Sequence, residues 1–167
     1  MYEHPFYVKP QTLNRPHNLA VGIRIRVAAC LIRDDQLLVV THQKEGRRYH
    51  LLPGGGVRIG ETLREALVRE VVEETGLAIE TGPALLICES IEPGAARHIL
   101  NLVFAATLKG GELTPGKDGR LCDAGWYDRS TLGTLDFYPD IAAEIGNIWD
   151  RGFEGPVVDL GNVWKAS

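Results

Sequence analysis

The sequence contains no run that approaches the ~18 consecutive apolar residues of a membrane helix. It also shows no internal repeat and no low-complexity linker, so its 167 residues predict one domain with short extensions. Positive charge is not in excess, because the formal net charge is -4 at pH 7. A protein with this charge balance has no overall attraction for a nucleic-acid backbone. Neither a membrane nor a nucleic acid is therefore an expected partner.

Cysteine is scarce and scattered, with Cys30, Cys88 and Cys122 all outside any CxxC pair. An odd, dispersed set excludes a disulfide framework and a cysteine-rich zinc site. Each cysteine stands in an apolar, strand-like stretch, which predicts three small buried side chains in a reducing compartment. Residues 1–10 have no apolar core that could act as a signal peptide. Together these features predict a cytoplasmic protein.

Strand-like and helical patterns alternate along the chain without a strict strand–helix–strand order, which predicts a mixed sheet with helices on its faces. A Pro-Gly-Gly-Gly segment at 53–56 is expected to interrupt regular structure. Thr62 begins a helix with a capping-box pattern, and Gly76 ends it. The domain division that we predict is an irregular arm at 1–20, one main folded domain at 21–152 and an extension at 153–167.

Three acidic residues on the predicted helix, Glu70, Glu73 and Glu74, project within about one third of its circumference. They border the apolar stripe that contains Leu67 and Val71. Clustered carboxylates at such an edge suit a hard divalent cation, which removes their mutual repulsion. A solvated acidic face explains the spacing equally well, so spacing alone leaves both interpretations open.

A longer pattern favours the metal site. Reading Gly55, five residues, Glu61, seven residues and then the segment from Arg69 to Leu77, the chain resembles a complete Nudix box, GX5EX7REUXEEXGU, in which U is a bulky aliphatic residue. Every fixed position of the box is filled. The resemblance implies the Nudix fold, an α/β/α sandwich with a mixed sheet between helices. It also implies a hydrolase that cleaves a diphosphate bond in a nucleoside diphosphate derivative.

The resemblance implies a role for individual residues. Magnesium is the expected cofactor, manganese fits the same ligands, and Arg69 is expected to orient the carboxylates. The implied metal ligands are the carbonyl of Gly54 and the side chains of Glu70, Glu73 and Glu74. We group Glu70, Arg69 and Asp118 as the catalytic residues, with Glu70 as a third ligand or the base that acts on water. Three arginines beside the glycine segment, Arg47, Arg48 and Arg58, are the candidates for binding substrate phosphates.

Many members of this family use a further acid from a distant loop. Asp118 is our preferred candidate because its flanking glycines, Gly116 and Gly119, would let a loop swing over the site. Asp123 and, more weakly, Glu112 are the alternatives. An ordinary turn aspartate explains Asp118 equally well.

The substrate is indicated by one residue. Pro93 follows Leu77 by sixteen residues, a spacing that resembles ADP-ribose pyrophosphatases, whereas the SQPWPFPxS signature of the NADH-specific group is absent. Triphosphates, oxidised nucleotides and nucleotide sugars stay open as substrates. A Nudix-fold sensor that binds a nucleotide without hydrolysing it is a rival interpretation, although such proteins usually have an eroded box. Action on capped RNA is disfavoured by the acidic balance, and a homodimer is left open.

Overall fold

The computed structural model describes residues 22–117 and 119–165. The described part begins with a strand hairpin and a short strand of glycines, continues through the box helix, and ends in a strand. Its elements in chain order are β1 (Arg24–Arg33), β2 (Gln36–Lys44), β3 (Arg47–Leu51), β4 (Gly54–Gly56), α1 (Leu63–Thr75), β5 (Leu77–Ile91), β6 (His98–Gly111), β7 (Leu121–Asp128), a 3-10 helix (Arg129–Thr134), α2 (Ala142–Asp150) and β8 (Val158–Asn162).

The strands form one connected mixed sheet. Its main path runs β3-β2-β1-β6-β5-β8, with β4 paired to β1 and β7 paired to β2. The pairs β1–β6 and β5–β8 are parallel, and the other pairs are antiparallel. This topology brings β4, which leads toward the box helix, directly against the centre of the sheet.

Alternate residues of β1 supply the two cores. Val27, Ala29 and Leu31 pack with Leu67 and Val71 of α1 on one face. Ala28 and Cys30 pack with a cluster that includes buried isoleucines of α2 on the other face. A strand that is apolar on both sides needs cover on both sides, which is why β1 reads as a continuous apolar run. The predicted α/β/α sandwich is confirmed.

Helix α1 begins and ends where the sequence predicted. The Thr62 hydroxyl accepts the Glu65 amide, and the Glu65 carboxylate accepts the Thr62 amide, which completes the capping box. At the other end Gly76 adopts a left-handed conformation with φ 70°, which glycine tolerates at little cost. The helix that carries the box carboxylates is therefore capped at its N-terminus by Thr62 and ends at Gly76.

The loop after β6 satisfies the last carbonyls of α1. The amide of Thr114 donates to the carbonyl of Thr75, and the amide of Gly116 donates to the carbonyl of Glu74, both at 2.9 Å. A Cβ on Gly116 would overlap the carbonyl of Glu73, so this close approach requires glycine. The loop that leads to position 118 is thus anchored to the acidic helix at Gly116.

Two sequence expectations about local structure are wrong. Residues 54–56 do not interrupt regular structure but form β4, because glycine lets the chain pair closely with β1. Cys122 is exposed, whereas Cys30 and Cys88 are buried as predicted. The pairing of β2 with β7 shifts beside Cys122, and this irregularity turns the residue out of the core.

The segments outside the predicted domain have different outcomes. The predicted N-terminal arm at 1–20 lies outside the described residues. The segment at 153–167, predicted as an extension, contributes β8 to the sheet edge beside β5. Within the described residues, no helix is both long and apolar enough to cross a membrane.

Candidate active site

A cleft of about 620 Å³ opens where β4, the acidic face of α1 and the ends of β1, β2, β5 and β6 meet. Its volume lies within the roughly 300–1,000 Å³ that is usual for sites of small ligands. Glu70 and Glu74 line it together with the three glycines of β4. Tyr49 of β3 also contributes to its wall.

Gly54 holds the carboxylate of Glu74. The Gly54 amide donates to Glu74 Oε2 at 2.8 Å, and Glu74 is almost fully buried. Gly54 has φ 148°, and a Cβ there would overlap the carbonyl of Val27 in β1. Only glycine can therefore bring this backbone amide to the acid. The contact fixes one oxygen of Glu74 and leaves Oε1 3.7 Å from His42 Nε2.

Arg69 connects the other acids of the box. Its guanidinium donates to Glu61 Oε1 at 2.6 Å and Oε2 at 2.8 Å, to Glu70 Oε1 at 2.6 Å, and to the Gly56 carbonyl at 3.1 Å. A longer contact of 3.3 Å reaches Glu73 Oε2. The Arg69 hydrogen bond lowers the pKa of Glu61 to about 2, and the same pair raises the pKa of Arg69. Arg69 thus contacts three acids of the box, Glu61, Glu70 and Glu73.

The two oxygens of Glu70 differ in their contacts. Arg69 occupies Oε1, and Oε2 has no hydrogen-bond partner within the described ranges. Gly55 makes the room for this carboxylate, because a Cβ on Gly55 would overlap it. The site therefore contains an acid with one oxygen fixed and one available.

Arg26 lies beneath the acids on β1 and was missed by the sequence analysis. It is partly buried, and its Nη2 donates to the carbonyls of Leu52 at 2.8 Å and Gly54 at 3.2 Å. Burial lowers its pKa, and the nearby Glu74 and Glu70 carboxylates act in the opposite direction. No carboxylate of the described chain forms an ion pair with it. Arg26 therefore keeps donor groups that no carboxylate contacts directly, at a point of the cleft where an anion could reach them.

Further cations line the same cleft. They come from β1, from the turn before β6, from the start of β7 and from the end of the described chain, so no local sequence pattern joins them. Only β1 offered a sequence signal for these cations, because Arg24 and Arg26 stand two residues apart just before its buried apolar residues. The basic residues of the lining are Arg24, Arg26, Arg97, Arg120 and Lys165.

The three arginines predicted to bind phosphates lie outside the cleft lining. Arg47 donates to Asp136 at 2.7 Å and 3.0 Å and to the Tyr138 hydroxyl at 3.1 Å. Arg58 lies 3.5 Å from Glu73, and Arg48 is exposed on β3. A phosphate-binding role for Arg47 would require this ion pair to open.

Of the acids predicted in the distant loop, Asp118 lies outside the described residues. Asp123 is exposed on β7, pairs with Thr41, and accepts the Ala124 amide at 2.9 Å. It does not line the cleft. Glu112 follows β6 and is exposed. The structure thus gives Asp123 a strand position away from the cleft lining.

The donor chemistry of the site fits a hard divalent cation. Within residues 22–117 and 119–165, no three acidic, histidine or cysteine side chains already converge as a metal site. Glu70 and Glu74 nevertheless line one cleft with the Gly54 backbone, and carboxylate and carbonyl oxygens are the ligands that magnesium prefers. Glu73 is half exposed at the edge, between Arg69 and Arg58.

Comparisons with known proteins point to one family. A family model described as NUDIX domain matches residues 22–145. An ADP-ribose pyrophosphatase from Methanocaldococcus jannaschii is 32% identical over 131 residues, which cover 78% of this chain and 76% of the relative. The 8-oxo-dGDP phosphatase NUDT18 from Mus musculus is 36% identical over 67% of this chain and 36% of its own length.

Other relatives and solved structures extend the comparison. The NAD-capped RNA hydrolase NudC from Photorhabdus laumondii is 32% identical over 72% of this chain, which spans 46% of that protein. A NUDIX hydrolase structure from Nitrosomonas europaea matches with a TM-score of 0.71 and 20% identity, covering 81% of this chain and 93% of that one. At that identity the likeness shows the fold alone.

Proposed function

Since the chain belongs to the Nudix hydrolase family, we propose that it hydrolyses the diphosphate bond of a nucleoside diphosphate linked to another group, with magnesium as the cofactor. The observation that carries this proposal is the division of charge in the cleft. Glu70 and Glu74 line it beside β4, and five basic side chains line it as well. Acids that can hold a cation and bases that can hold phosphate oxygens therefore occupy one cavity.

Glu74, Glu73 and the Gly54 carbonyl would hold the magnesium, and Glu70 would be either a further ligand or the base that acts on water. When bound, the ion neutralises charge on the phosphate oxygens and lowers the pKa of a coordinated water. The Gly54 carbonyl already accepts from Arg26 at 3.2 Å, and a carbonyl oxygen has a second lone pair for another partner.

The protein groups supply orientation and proton transfer. Arg69 fixes Glu70 through Oε1, so that Oε2 can accept the proton of an attacking water. The water oxygen forms the new bond to phosphorus, and the bridging oxygen leaves with the electron pair on the second phosphate. Arg26 places positive charge beneath the position where this charge develops, which favours the transition state.

ADP-ribose, or a similar ADP-linked compound, is the proposed substrate. The spacing of Pro93 supports it, and so does the likeness to the archaeal ADP-ribose pyrophosphatase. Pro93 also stands in the turn between β5 and β6 that leads to Arg97, a residue of the cleft.

A substrate panel tests the proposal. The purified protein is assayed for phosphate release, after a coupled phosphatase, with ADP-ribose, nucleotide sugars, (d)NTPs, 8-oxo-dGDP and NAD-capped RNA at millimolar magnesium. We expect ADP-ribose or another ADP-linked compound to give the highest kcat/KM, manganese to substitute, and EDTA to stop the reaction. A triphosphate or 8-oxo-dGDP at the top would overturn the substrate assignment. Full activity in metal-free buffer would overturn the magnesium mechanism.

A further inference from the structure

The chain that follows β8 runs along the rim of the cleft in a fixed path. The amide of Val163 donates to the carbonyl of Glu89 on β5 at 2.9 Å. The side-chain oxygen of Asn162 accepts the amide of Ile91 at 3.0 Å and the amide of Trp164 at 3.2 Å. Because one side chain joins β5 to the backbone at Trp164, the indole enters the cleft from an anchored segment.

The next residue anchors the segment on its other side. Lys165 Nζ lies 3.0 Å from Asp136 Oδ1 and 5.3 Å from the centre of the Tyr138 ring. Trp164 thus stands between two attachments, at Asn162 and at Lys165. Both Trp164 and Lys165 line the cleft that contains Glu70 and Glu74.

Trp164 is paired with an arginine in the cleft. The guanidinium carbon of Arg97 lies 4.9 Å from the centre of the indole ring. Arg97 forms no ion pair with a carboxylate in the part of the chain that the structure describes. An indole and a guanidinium are both flat groups on which a nucleobase stacks, and the guanidinium also attracts phosphate. A partly exposed indole within a polar cleft gains burial when such a ring covers it.

We propose that Trp164, with Arg97 over one face of its indole, forms the nucleobase subsite of this cleft. The proposal rests on the proposed function for the position of the diphosphate, which lies toward Glu70 and Glu74. The segment after β8 then makes the enzyme selective for nucleosides over other phosphorylated compounds. Trp164 is a specificity residue and takes no part in the bond cleavage.

Equilibrium binding without metal and without turnover tests this subsite. Isothermal titration calorimetry compares AMP, GMP, CMP and UMP with ribose 5-phosphate, which keeps the phosphate and sugar but has no base. For the wild-type chain we expect at least one nucleotide to bind more tightly than ribose 5-phosphate. Trp164→Ala should weaken that nucleotide about ten-fold or more, as loss of a stacked base does, and leave ribose 5-phosphate unchanged.

Two further variants separate stacking from packing. Trp164→Phe keeps an aromatic plane and should retain most of the affinity, whereas Trp164→Leu keeps apolar volume without a plane and should behave as Trp164→Ala. Trp126→Ala is the matched control, because Arg33 lies 4.2 Å from the centre of that ring but neither residue lines the cleft. It should leave the ratio of nucleotide to ribose 5-phosphate affinity unchanged, with folding checked by thermal melting.

Three results would overturn the subsite: no nucleotide outranks ribose 5-phosphate, Trp164→Leu retains the nucleotide affinity, or Trp164→Leu weakens both ligands equally. The substrate panel is independent of all three. A protein that hydrolyses no diphosphate but shows the base-dependent loss contradicts the proposed function and supports the subsite. Hydrolysis of a diphosphate together with an equal loss of affinity for nucleotide and ribose 5-phosphate supports the proposed function and contradicts the subsite.

Discussion

The carboxylate of Glu70 lies so close to Gly55 that a Cβ on residue 55 would overlap it. The glycine at the start of the box is therefore required by an acid fifteen residues later. Its neighbour Gly54 is required for another reason, since a Cβ there would overlap the backbone of β1. Gly55 thus leaves room for the Glu70 carboxylate, and Gly54 allows β4 to pair closely with β1.

Gly55→Ala should lower kcat on the order of 10²-fold and change the melting temperature little. The added methyl displaces the flexible end of Glu70, and a displaced base or ligand loses catalytic effect of this size. Activity and thermal melting of the variant are measured together.

Gly54→Ala and Gly133→Ala are the matched comparisons for that change. Gly54→Ala should destabilise the fold, because it meets backbone that cannot move away. Gly133→Ala meets nothing within 4 Å and should be neutral in both measurements. A Gly55→Ala protein with normal turnover would remove Glu70 from the chemistry.

Glu70→Gln and Glu74→Gln should each lower kcat on the order of 10²-fold or more, because each change removes charge from the cleft while keeping side-chain volume. Steady-state kinetics at saturating magnesium provide the measurement. Glu80→Gln is the control, since Glu80 pairs with Lys109 on the neighbouring strand and lies outside the cleft.

Glu73→Gln, measured in the same series, decides the place of the third acid. Its carboxylate is half exposed between Arg69 and Arg58. A loss equal to that of Glu74→Gln assigns Glu73 to the metal ligands. A loss below ten-fold assigns it to the support of the arginines and contradicts its proposed role as a ligand.

The Arg69–Glu61 pair should make stability depend on acid. The folded pKa of Glu61 is about 2, below its ordinary value of 4.5, so the ionised form is favoured in the folded state. This contribution to the free energy of unfolding is fully present above pH 4.5 and is lost as pH falls toward 2. Glu61→Gln should therefore reduce the change of melting temperature with pH between pH 4.5 and about 2.

A second variant identifies the cause of that slope. Arg69→Gln removes the largest cause of the lowered Glu61 pKa and leaves the smaller one, the Arg58 amide, so Glu61→Gln added to it should flatten the profile less than it does alone. Melting curves of the two single variants and the double variant give the comparison. If the Glu61→Gln change is the same with and without Arg69, another group causes the acid dependence.

Asp118→Asn should lower kcat and leave magnesium affinity of the substrate-free protein almost unchanged, because we assign the ion to the helix acids. Asp123→Asn should have the smaller effect on turnover, since Asp123 is exposed on β7 and bonds its own neighbour's amide. The kinetics and magnesium titration of both variants are measured. If Asp123→Asn loses turnover and Asp118→Asn does not, the two assignments are exchanged.

The acidic helix could be predicted from sequence because its determinants are local. Thr62 and Glu65 cap it, Gly76 ends it, and i, i+4 spacing places Glu70 and Glu74 on one face. The contacts of Arg69 with Glu61 and Glu70 join residues within one short segment. The acidic residues of the cleft could therefore be predicted largely from their spacing in the sequence.

The basic half could not be predicted in the same way. Arg26 and Arg97 meet in one cleft only because β1 pairs with β6 in parallel, a pairing between distant segments. Trp164 reaches the cleft through the contact of β8 with β5. Proximity to the glycine segment instead favoured Arg47 and Arg58 as phosphate-binding residues. In the structure Arg47 pairs with Asp136 and Arg58 with Glu73.

The closure of α1 at both ends has a consequence for hydrogen exchange. Its first turn is held by Thr62 and Glu65, and the carbonyls of Glu74 and Thr75 accept amides from the loop after β6. Fraying, the usual route by which helix-terminal amides exchange, is therefore blocked at each end. The amides of residues 66–75 should exchange with deuterium only when the sheet itself opens. The acids then share one cooperative unit with β1 and β6, so any solvent condition that leaves the protein folded also leaves their helix intact.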